Sequence, residues 1–426
     1  MSDYISRTVD LELGELLGQL PAIAVDGAKG VGKTATASRR AGSIHALDDP
    51  GQRSLAIADP DRLLGGDRPV LLDEWQRVPE SWDLVRRAVD AGAAEGSFLL
   101  TGSTQLAAAD THSGAGRIVT VRMRPLSLAE RGVEEPTVSI RELLEGGRPP
   151  IRGTTSVRLG AYVEEIVASG FPGLRGLSGR ALRAQLDGYV DRIVDRDFPE
   201  LGRRVRNPAA LRRWMAAYAA ATATTTSFEK IRDAATSDQG DKPAKATAIP
   251  YRDVLERLWV LDPLPAWLPT RRRISRLSSP LKHHLVDPAL AARILGVDER
   301  ALLGGGGGAT RTHARDGALL GSLFESLLTL SVRVYAQAAE GRVGHLRMAG
   351  GEREIDLIIE RGDGRILAIE VKLARDIADR DVSHLRWLRD RIGDDELLDA
   401  IVITTGEHAY RRRDGIAVVP AALLGP

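Results

Sequence analysis

The chain of 426 residues contains no cysteine. Disulfides, thiol nucleophiles and cysteine-ligated metals are thereby excluded, and the compartment is left open. No stretch approaches the 18 or more consecutive apolar residues of a membrane span. The opening Met1-Ser-Asp-Tyr-Ile-Ser-Arg7 has neither the basic flank nor the apolar core of a secretory signal. The expectation is a cytoplasmic protein without a membrane partner. Net charge is missing too: 59 basic residues meet 58 acidic ones, for a formal +1. A balance of that kind gives no general electrostatic reason to bind nucleic acid tightly. Lysine is scarce. Seven of the basic residues are lysine and the other 52 arginine. Lys29, Lys33 and Lys372 therefore stand out, because a compact ammonium and a guanidinium are not interchangeable.

What is present begins with Gly27-Ala28-Lys29-Gly30-Val31-Gly32-Lys33-Thr34, just after the apolar run Ile23-Ala-Val25. All eight positions satisfy G-x-x-x-x-G-K-[ST]. Glycines turn the backbone tightly and bring its amides to a polyphosphate, Lys33 supplies a cation, and Thr34 a hydroxyl for phosphate-bound Mg²⁺. Residues 35–40 read as the helix that follows, its N-terminal amides facing the phosphates. The pattern predicts ATP or GTP binding. No Asn-Lys-x-Asp element occurs to read guanine, so ATP is expected.

Downstream, apolar strands alternate with helices: strands at 43–47, 69–72, 97–100 and 117–121, helices at 11–20, 61–64 and 82–89, and a turn at Asp48-Asp-Pro50. This predicts an α/β domain with a parallel sheet and ligands at the C-terminal strand ends. Val70-Leu71-Leu72-Asp73-Glu74 places two acids at such an end. Asp73 is assigned to Mg²⁺ and Glu74 to the base that polarises an attacking water. Leu99-Leu-Thr101-Gly-Ser103 ends the next strand, and either hydroxyl can sense the γ-phosphate; Ser103 is favoured. Arg117, Arg122 and Arg124 follow in the next strand region and could complement developing phosphate charge, in cis or from another subunit; Arg117 is favoured.

Gly146-Gly-Arg-Pro149-Pro150 interrupts periodic structure, and Gly304 opens a run of five glycines that no regular element tolerates. Three domains follow: 1–145, 155–300 and 310–426. The middle one is helical (157–168, 180–193, 209–223 and 249–257), with a loop at 232–248 and a short strand at 274–277, an order compatible with a winged helix. In the last domain a helix at 317–337 precedes strands at 342–347, 354–360 and 366–371, a helix at 382–391, and strands at 400–404 and 416–419. Here Glu370 and Lys372 share one strand face. Asp356 lies across the hairpin, and Glu325 interrupts an apolar helix where a carboxylate needs a partner. Asp356 and Glu370 can hold a hard divalent cation, with Lys372 for phosphate or water and Glu325 for a further ligand. The alternative is a hairpin edge with a Glu–Lys surface pair.

Taken in order, the motifs resemble bacterial and archaeal AAA-type ATP-binding proteins carrying a C-terminal domain of unknown function, number 4143. Besides the loop, the resemblance rests on Leu71-Leu-Asp-Glu74-Trp-Gln76, Leu100-Thr-Gly-Ser103, Gly116-Arg117 and Arg124-Pro125-Leu-Ser-Leu-Ala-Glu130. It continues through Gly170-Phe-Pro-Gly173, His284-Leu-Val-Asp287-Pro-Ala-Leu290, Gly321-x-x-x-Glu325, Glu354-Ile-Asp356 and Glu370-Val-Lys372. It implies an AAA-like P-loop domain, a helical and winged-helix-like middle, and a terminal domain similar to PD-(D/E)xK nucleases. Its nuclease metal site would fall on Glu325, Asp356, Glu370 and Lys372, although Glu354-Ile replaces the usual proline before Asp356. The expected function is a Mg²⁺-dependent ATPase whose nucleotide state controls a nuclease-like domain. Two alternatives stand beside it: an ATP-dependent interaction switch without nuclease chemistry, and an ATP-modulated DNA-binding protein. Nucleic acid, a protein partner and a second copy of the chain are compatible partners.

Overall fold

The computed structural model describes residues 4–104, 114–201, 207–236, 245–269, 279–304, 317–348 and 350–426. The chain divides into two compact units. The first comprises Met1–Pro125, Phe171–Gly173 and Asp253–Val260; the second comprises Leu126–Gly170, Leu174–Arg252 and Leu261–Pro426.

In the first unit five strands, β1 (Ala22–Asp26), β2 (Ser43–Ala46), β3 (Val70–Asp73), β4 (Phe98–Gly102) and β5 (Val119–Arg122), form one parallel sheet in the order β2-β3-β4-β1-β5. The central strands are near-continuous apolar runs because a parallel sheet is covered on both faces. Ala22, Ala24, Val70, Leu72, Phe98 and Leu100 alternate onto one face. There they pack on Leu84 and Val85 of helix α4 (Glu80–Asp90). The register pairs Asp26 with Gly102 and with Arg122, which gathers the chemistry at the C-terminal edge. Helix α1 (Val9–Leu17) precedes the sheet, and α2 (Lys33–Ser38) follows the loop. Helix α3 (Pro50–Ala58) stands where Asp48-Asp-Pro50 read as a turn. Asp49 caps it by accepting the amide of Gln52 at 2.8 Å, and Pro50 takes its first position, so the same residues begin a helix.

The second unit is built on a mixed seven-stranded sheet, in which β8 (Arg342–Arg347), β9 (Glu354–Glu360), β10 (Ile366–Val371), β11 (Leu397–Thr404), β12 (His408–Arg411) and β13 (Ala417–Pro420) are joined by β7 (Gly153–Thr154). β12 is a strand that sequence reading missed. β6 (Val138–Ser139) pairs with β14 (Leu424–Gly425). Residues 126–145, expected with the nucleotide domain, thus lie in the second unit. The separately expected middle and C-terminal domains share that unit. The helix Gly317–Ala338 has the length and apolarity of a membrane span, and here Leu320, Leu323, Phe324, Leu327 and Leu328 are buried in the protein. Isoleucines and valines of the sheet pack on Leu385 and Leu388 of the helix Ser383–Ile392.

The middle segment is helical, with helices Leu159–Ala168, Gly179–Arg192, Pro208–Ala220 and Pro288–Ile294. The loop expected at 232–248 is entered from both sides by helices Phe228–Ala234 and Lys245–Arg257, and 237–244 lie outside the described residues. So do the strand expected at 274–277 and the glycines after Gly304. Leu261, Leu264 and Ala266 form isolated bridges to Leu285, Lys282 and His345. Ala266 thereby reaches β8, and the hairpin of the expected winged helix falls on residues outside the described ones.

Asp399 is 1% exposed and accepts both guanidinium nitrogens of Arg411, at 2.9 and 2.8 Å. Breaking such a pair strands a buried charge. Arg411→Leu is expected to cost about 3–5 kcal/mol in equilibrium denaturation. The double variant with Asp399→Leu should recover part of that loss.

Candidate functional site

The loop between β1 and α2 is shaped by steric necessity. A Cβ on Gly27 would stand 2.1 Å from the Met123 carbonyl oxygen, and Gly32 lies at φ +100°. Ala28 and Val31 are fully buried, and Lys29 is half-buried. Lys33 is 4% exposed, and its ammonium donates to the carbonyls of Gly27 at 2.8 Å and Ala28 at 2.9 Å. Burial pulls its pKa down to about 8, against the pull of Glu74, Asp26 and Asp73. Burial also raises Asp26 to about 6, with Lys33 and Arg122 opposing. Arg7, unmarked by any motif, is buried behind the loop and donates to the carbonyls of Val31 at 2.7 Å and Arg124 at 2.6 Å. The Tyr4 hydroxyl bonds Asp10 and, at 3.0 Å, Thr36 of α2.

At the neighbouring strand ends, Thr34 donates its hydroxyl to Asp73 at 2.8 Å, and Thr101 donates to the same carboxylate oxygen. Burial raises the Asp73 pKa while both hydroxyls hold it back. Glu74 has left-handed backbone at φ 55°, an unusual conformation for a side chain of this kind. Its carboxylate accepts Gln76 Nε2 at 2.6 Å and Ser103 Oγ at 3.0 Å, while its amide donates to Thr101 at 3.2 Å. The two hydroxyls left open by sequence thus part company: Thr101 orients Asp73, and Ser103 with Gln76 orients Glu74. The pair Thr34–Asp73 offers hard oxygen donors side by side and fits a Mg²⁺ ion.

Arg117 is placed elsewhere. Its side chain is 45% exposed, and it bonds Asp90 at the end of α4 at 2.8 Å. It makes no hydrogen bond to the loop or to the acids. Arg122 is the arginine whose charge acts on both Lys33 and Asp26. It stacks on Trp259, its guanidinium carbon 3.5 Å from the ring centre.

In the second unit, β9 and β10 pair with Leu357 opposite Ile369. By alternation Glu354 and Asp356 share one face of β9, and Glu370 and Lys372 share one face at the end of β10. Lys372 bonds Glu370 at 2.6 Å, and the Val371 amide donates to Asp356 Oδ2 at 2.9 Å. Glu325 reaches the same place from the long helix. The expected residues are therefore brought together, with one addition that sequence reading passed over. Lys282 Nζ lies 2.8 Å from Glu325 Oε1, 3.2 Å from Glu354 Oε1 and 3.3 Å from Asp356 Oδ1. Its side chain is 0% exposed. Burial opposes its charge, but Asp356, Glu325 and Glu354 together push its pKa above the ordinary lysine value. Burial and then Asp356 raise Glu325 to about 8 and Glu370 well above the usual carboxylate range. Burial acts on Asp356 too, but Lys282 and Lys372 prevail and lower its pKa. The set does not fit a divalent ion as it stands: Glu325, Glu354 and Asp356 each have an oxygen on Lys282, and Asp356 Oδ2 and Glu370 Oε2 accept from the Val371 amide and Lys372, which leaves Glu370 Oε1 without a hydrogen-bond partner among the described residues. Among the described residues no group of three or more His, Cys, Asp or Glu is arranged to hold a metal.

Residues 19–131 match the family described as an AAA domain. The first unit carries an AAA-type ATPase domain. Beyond the AAA domain, residues 159–301 match a domain of unknown function (DUF8612), and residues 320–424 match another (DUF4143). Two uncharacterized proteins, Mb2031c of Mycobacterium bovis and Rv2008c of Mycobacterium tuberculosis, are each 25% identical over 425 residues, covering 97% of this chain and 83% of theirs. Among solved structures, the Walker-type ATPase paby2304 of Pyrococcus abyssi aligns over 68% of this chain and 96% of its own, at 17% identity and a TM-score of 0.37. Protein VC1899 from Vibrio cholerae aligns over 94% of each chain, at 13% identity and a TM-score of 0.19.

The loop lysine generates a stability prediction. Unfolded, Lys33 keeps its proton up to its ordinary 10.5; folded and nucleotide-free, only up to about 8. Between those values the unfolded state binds more protons, so stability rises with pH across that window. Lys33→Met should remove this rise and stabilise the nucleotide-free protein near neutral pH by about 1–3 kcal/mol. Urea denaturation of both proteins at pH 7 and pH 9 measures it.

Proposed function

We propose that the chain is a Mg²⁺-dependent ATPase whose AAA domain works as a nucleotide-operated interaction switch, with the second unit serving for recognition. The observation that carries the proposal is the hydrogen-bonded series from Thr34 through Asp73 and Thr101 to Glu74, Gln76 and Ser103, beside the buried Lys33 held on the Gly27 and Ala28 carbonyls. The loop amides other than those of Gly27 and Val31, which donate to Gly102 and Ala28, would cradle the phosphates, and Lys33 would exchange two neutral carbonyls for phosphate oxygens that attract an ammonium more strongly. Thr34 and Asp73 would hold Mg²⁺, which when bound neutralises charge on the β- and γ-phosphates. Glu74, oriented by Gln76 and Ser103, takes the proton of the attacking water. Arg122 contributes positive charge at the end of β5, and Arg117 is available to a neighbouring copy.

The nuclease reading has a specific observation in its favour, the convergence of Asp356, Glu370 and Lys372. Against it stands Lys282, which takes one oxygen each of Glu325, Glu354 and Asp356. The balanced charge of the chain gives an ATP-modulated DNA-binding role no support.

Glu74→Gln is expected to keep ATP affinity within about threefold and to lower turnover at least about 100-fold, the usual contribution of a positioned base. Lys33→Ala should abolish binding itself. Calorimetric titration and phosphate release measure the two, and undiminished turnover in Glu74→Gln would contradict the assignment. Arg117→Ala should lower turnover about tenfold or more only if a second copy supplies the arginine. In that case, mixing Arg117→Ala with Lys33→Ala chains restores hydrolysis.

A further inference from the structure

We propose that Lys282 is the resident cation of the C-terminal carboxylate pocket, occupying the position of a divalent ion, and that the pocket becomes a divalent-cation site only when this ammonium is removed. The inference is independent of the nucleotide reading.

An ammonium has three donors and no acceptor. Here Glu325, Glu354 and Asp356 supply three separate carboxylates between 2.8 and 3.3 Å from one nitrogen. They come from the long helix and from β9, so a single side chain ties helix, sheet and the 280–285 segment together. The lysine is held in place by its own backbone. Its amide donates to the Leu264 carbonyl at 3.0 Å, and its carbonyl accepts from the Leu264 amide at 2.8 Å. The following residues are pinned as well: His283 bonds the Thr226 carbonyl at 2.6 Å, and His284 bonds Ser326 of the long helix at 3.2 Å. A solvated lysine could yield to an arriving ion, but this one is anchored on both sides.

The remaining oxygens leave a metal little to bind. Asp356 Oδ2 accepts from the Val371 amide, and Glu370 Oε2 from Lys372. Glu370 Oε1 is buried without a hydrogen-bond partner among the described residues, with His384 Nδ1 3.8 Å away. One such oxygen does not make the six-fold oxygen shell that Mg²⁺ or Mn²⁺ takes. Without the ammonium, however, three carboxylate oxygens would converge on one vacated point, a donor set of the kind hard cations select.

Mn²⁺ is the probe, followed by loss of the free-ion paramagnetic resonance signal in the full-length, nucleotide-free chain. Asp73→Asn is included so that the nucleotide site takes no part. The parent should bind no Mn²⁺ below about 1 mM, the weak end of protein oxygen sites. Lys282→Met, isosteric and neutral, should bind about one ion per chain at least about tenfold more tightly, and Asp356→Asn added to it should remove that binding. Parent binding that Asp356→Asn abolishes would overturn the proposal, as would a cooperatively melting Lys282→Met chain that gains no ion. Should Lys282→Met melt without cooperativity, Glu325→Gln must restore a cooperative transition by removing one of the charges left unpaired. Failure to do so would equally overturn it.

Discussion

A lysine ammonium taken out of water must be solvated by oxygen, and this chain solves the problem twice in opposite ways. Lys33 is given two neutral peptide carbonyls, which satisfy its donors but not its charge, and burial pulls its pKa down to about 8. Lys282 is given three carboxylates, and its pKa rises. The same side chain is therefore poised in one place and saturated in the other. A group held by dipoles gains by meeting an anion; a group held by three charges gains nothing more. The nucleotide site and the carboxylate pocket both follow from that difference.

In the AAA domain, everything around Lys33 prepares for that anion. Gly27 has no room for a side chain against Met123, so the backbone bends where a phosphate belongs. Arg7 holds the loop from behind through the Val31 carbonyl. Thr101 and Ser103, two residues apart on and just after one strand end, bond different acids, Thr101 to Asp73 and Ser103 to Glu74. The left-handed backbone of Glu74 is a local strain of the sort found where geometry serves chemistry.

The sequence made this site legible because its chemistry is local: eight contiguous residues, and two acids following one apolar strand. The strands of the smaller sheet and the main strands of the larger one were legible from their apolar runs, whereas β7 and β12 were not. Contacts between distant residues were not. Asp48-Asp-Pro50 reads equally as a turn or as a helix start, and only the Gln52 amide on Asp49 decides. The split of roles between Thr101 and Ser103 needed the adjacent strand. Lys282 had one available signal, its place among seven lysines in a chain dominated by arginine. Its motif neighbours His284 and Asp287 drew the attention instead. Asp356, Glu370 and Lys372 could be placed on one face by alternation, yet no alternation rule shows that a residue 74 positions before Asp356 enters the same pocket.

The central claim is that Lys33 gives up its carbonyls to a nucleotide phosphate. The most direct test titrates Mg·ATP into the full-length chain at pH 8.5 in buffers of different ionisation enthalpy. Free Lys33, with a pKa of about 8, is mostly neutral there; a phosphate partner restores its proton. Binding should then take up protons at pH 8.5 and far fewer at pH 7. Binding at pH 8.5 without proton uptake, or nucleotide affinity that survives Lys33→Met unchanged, would contradict it.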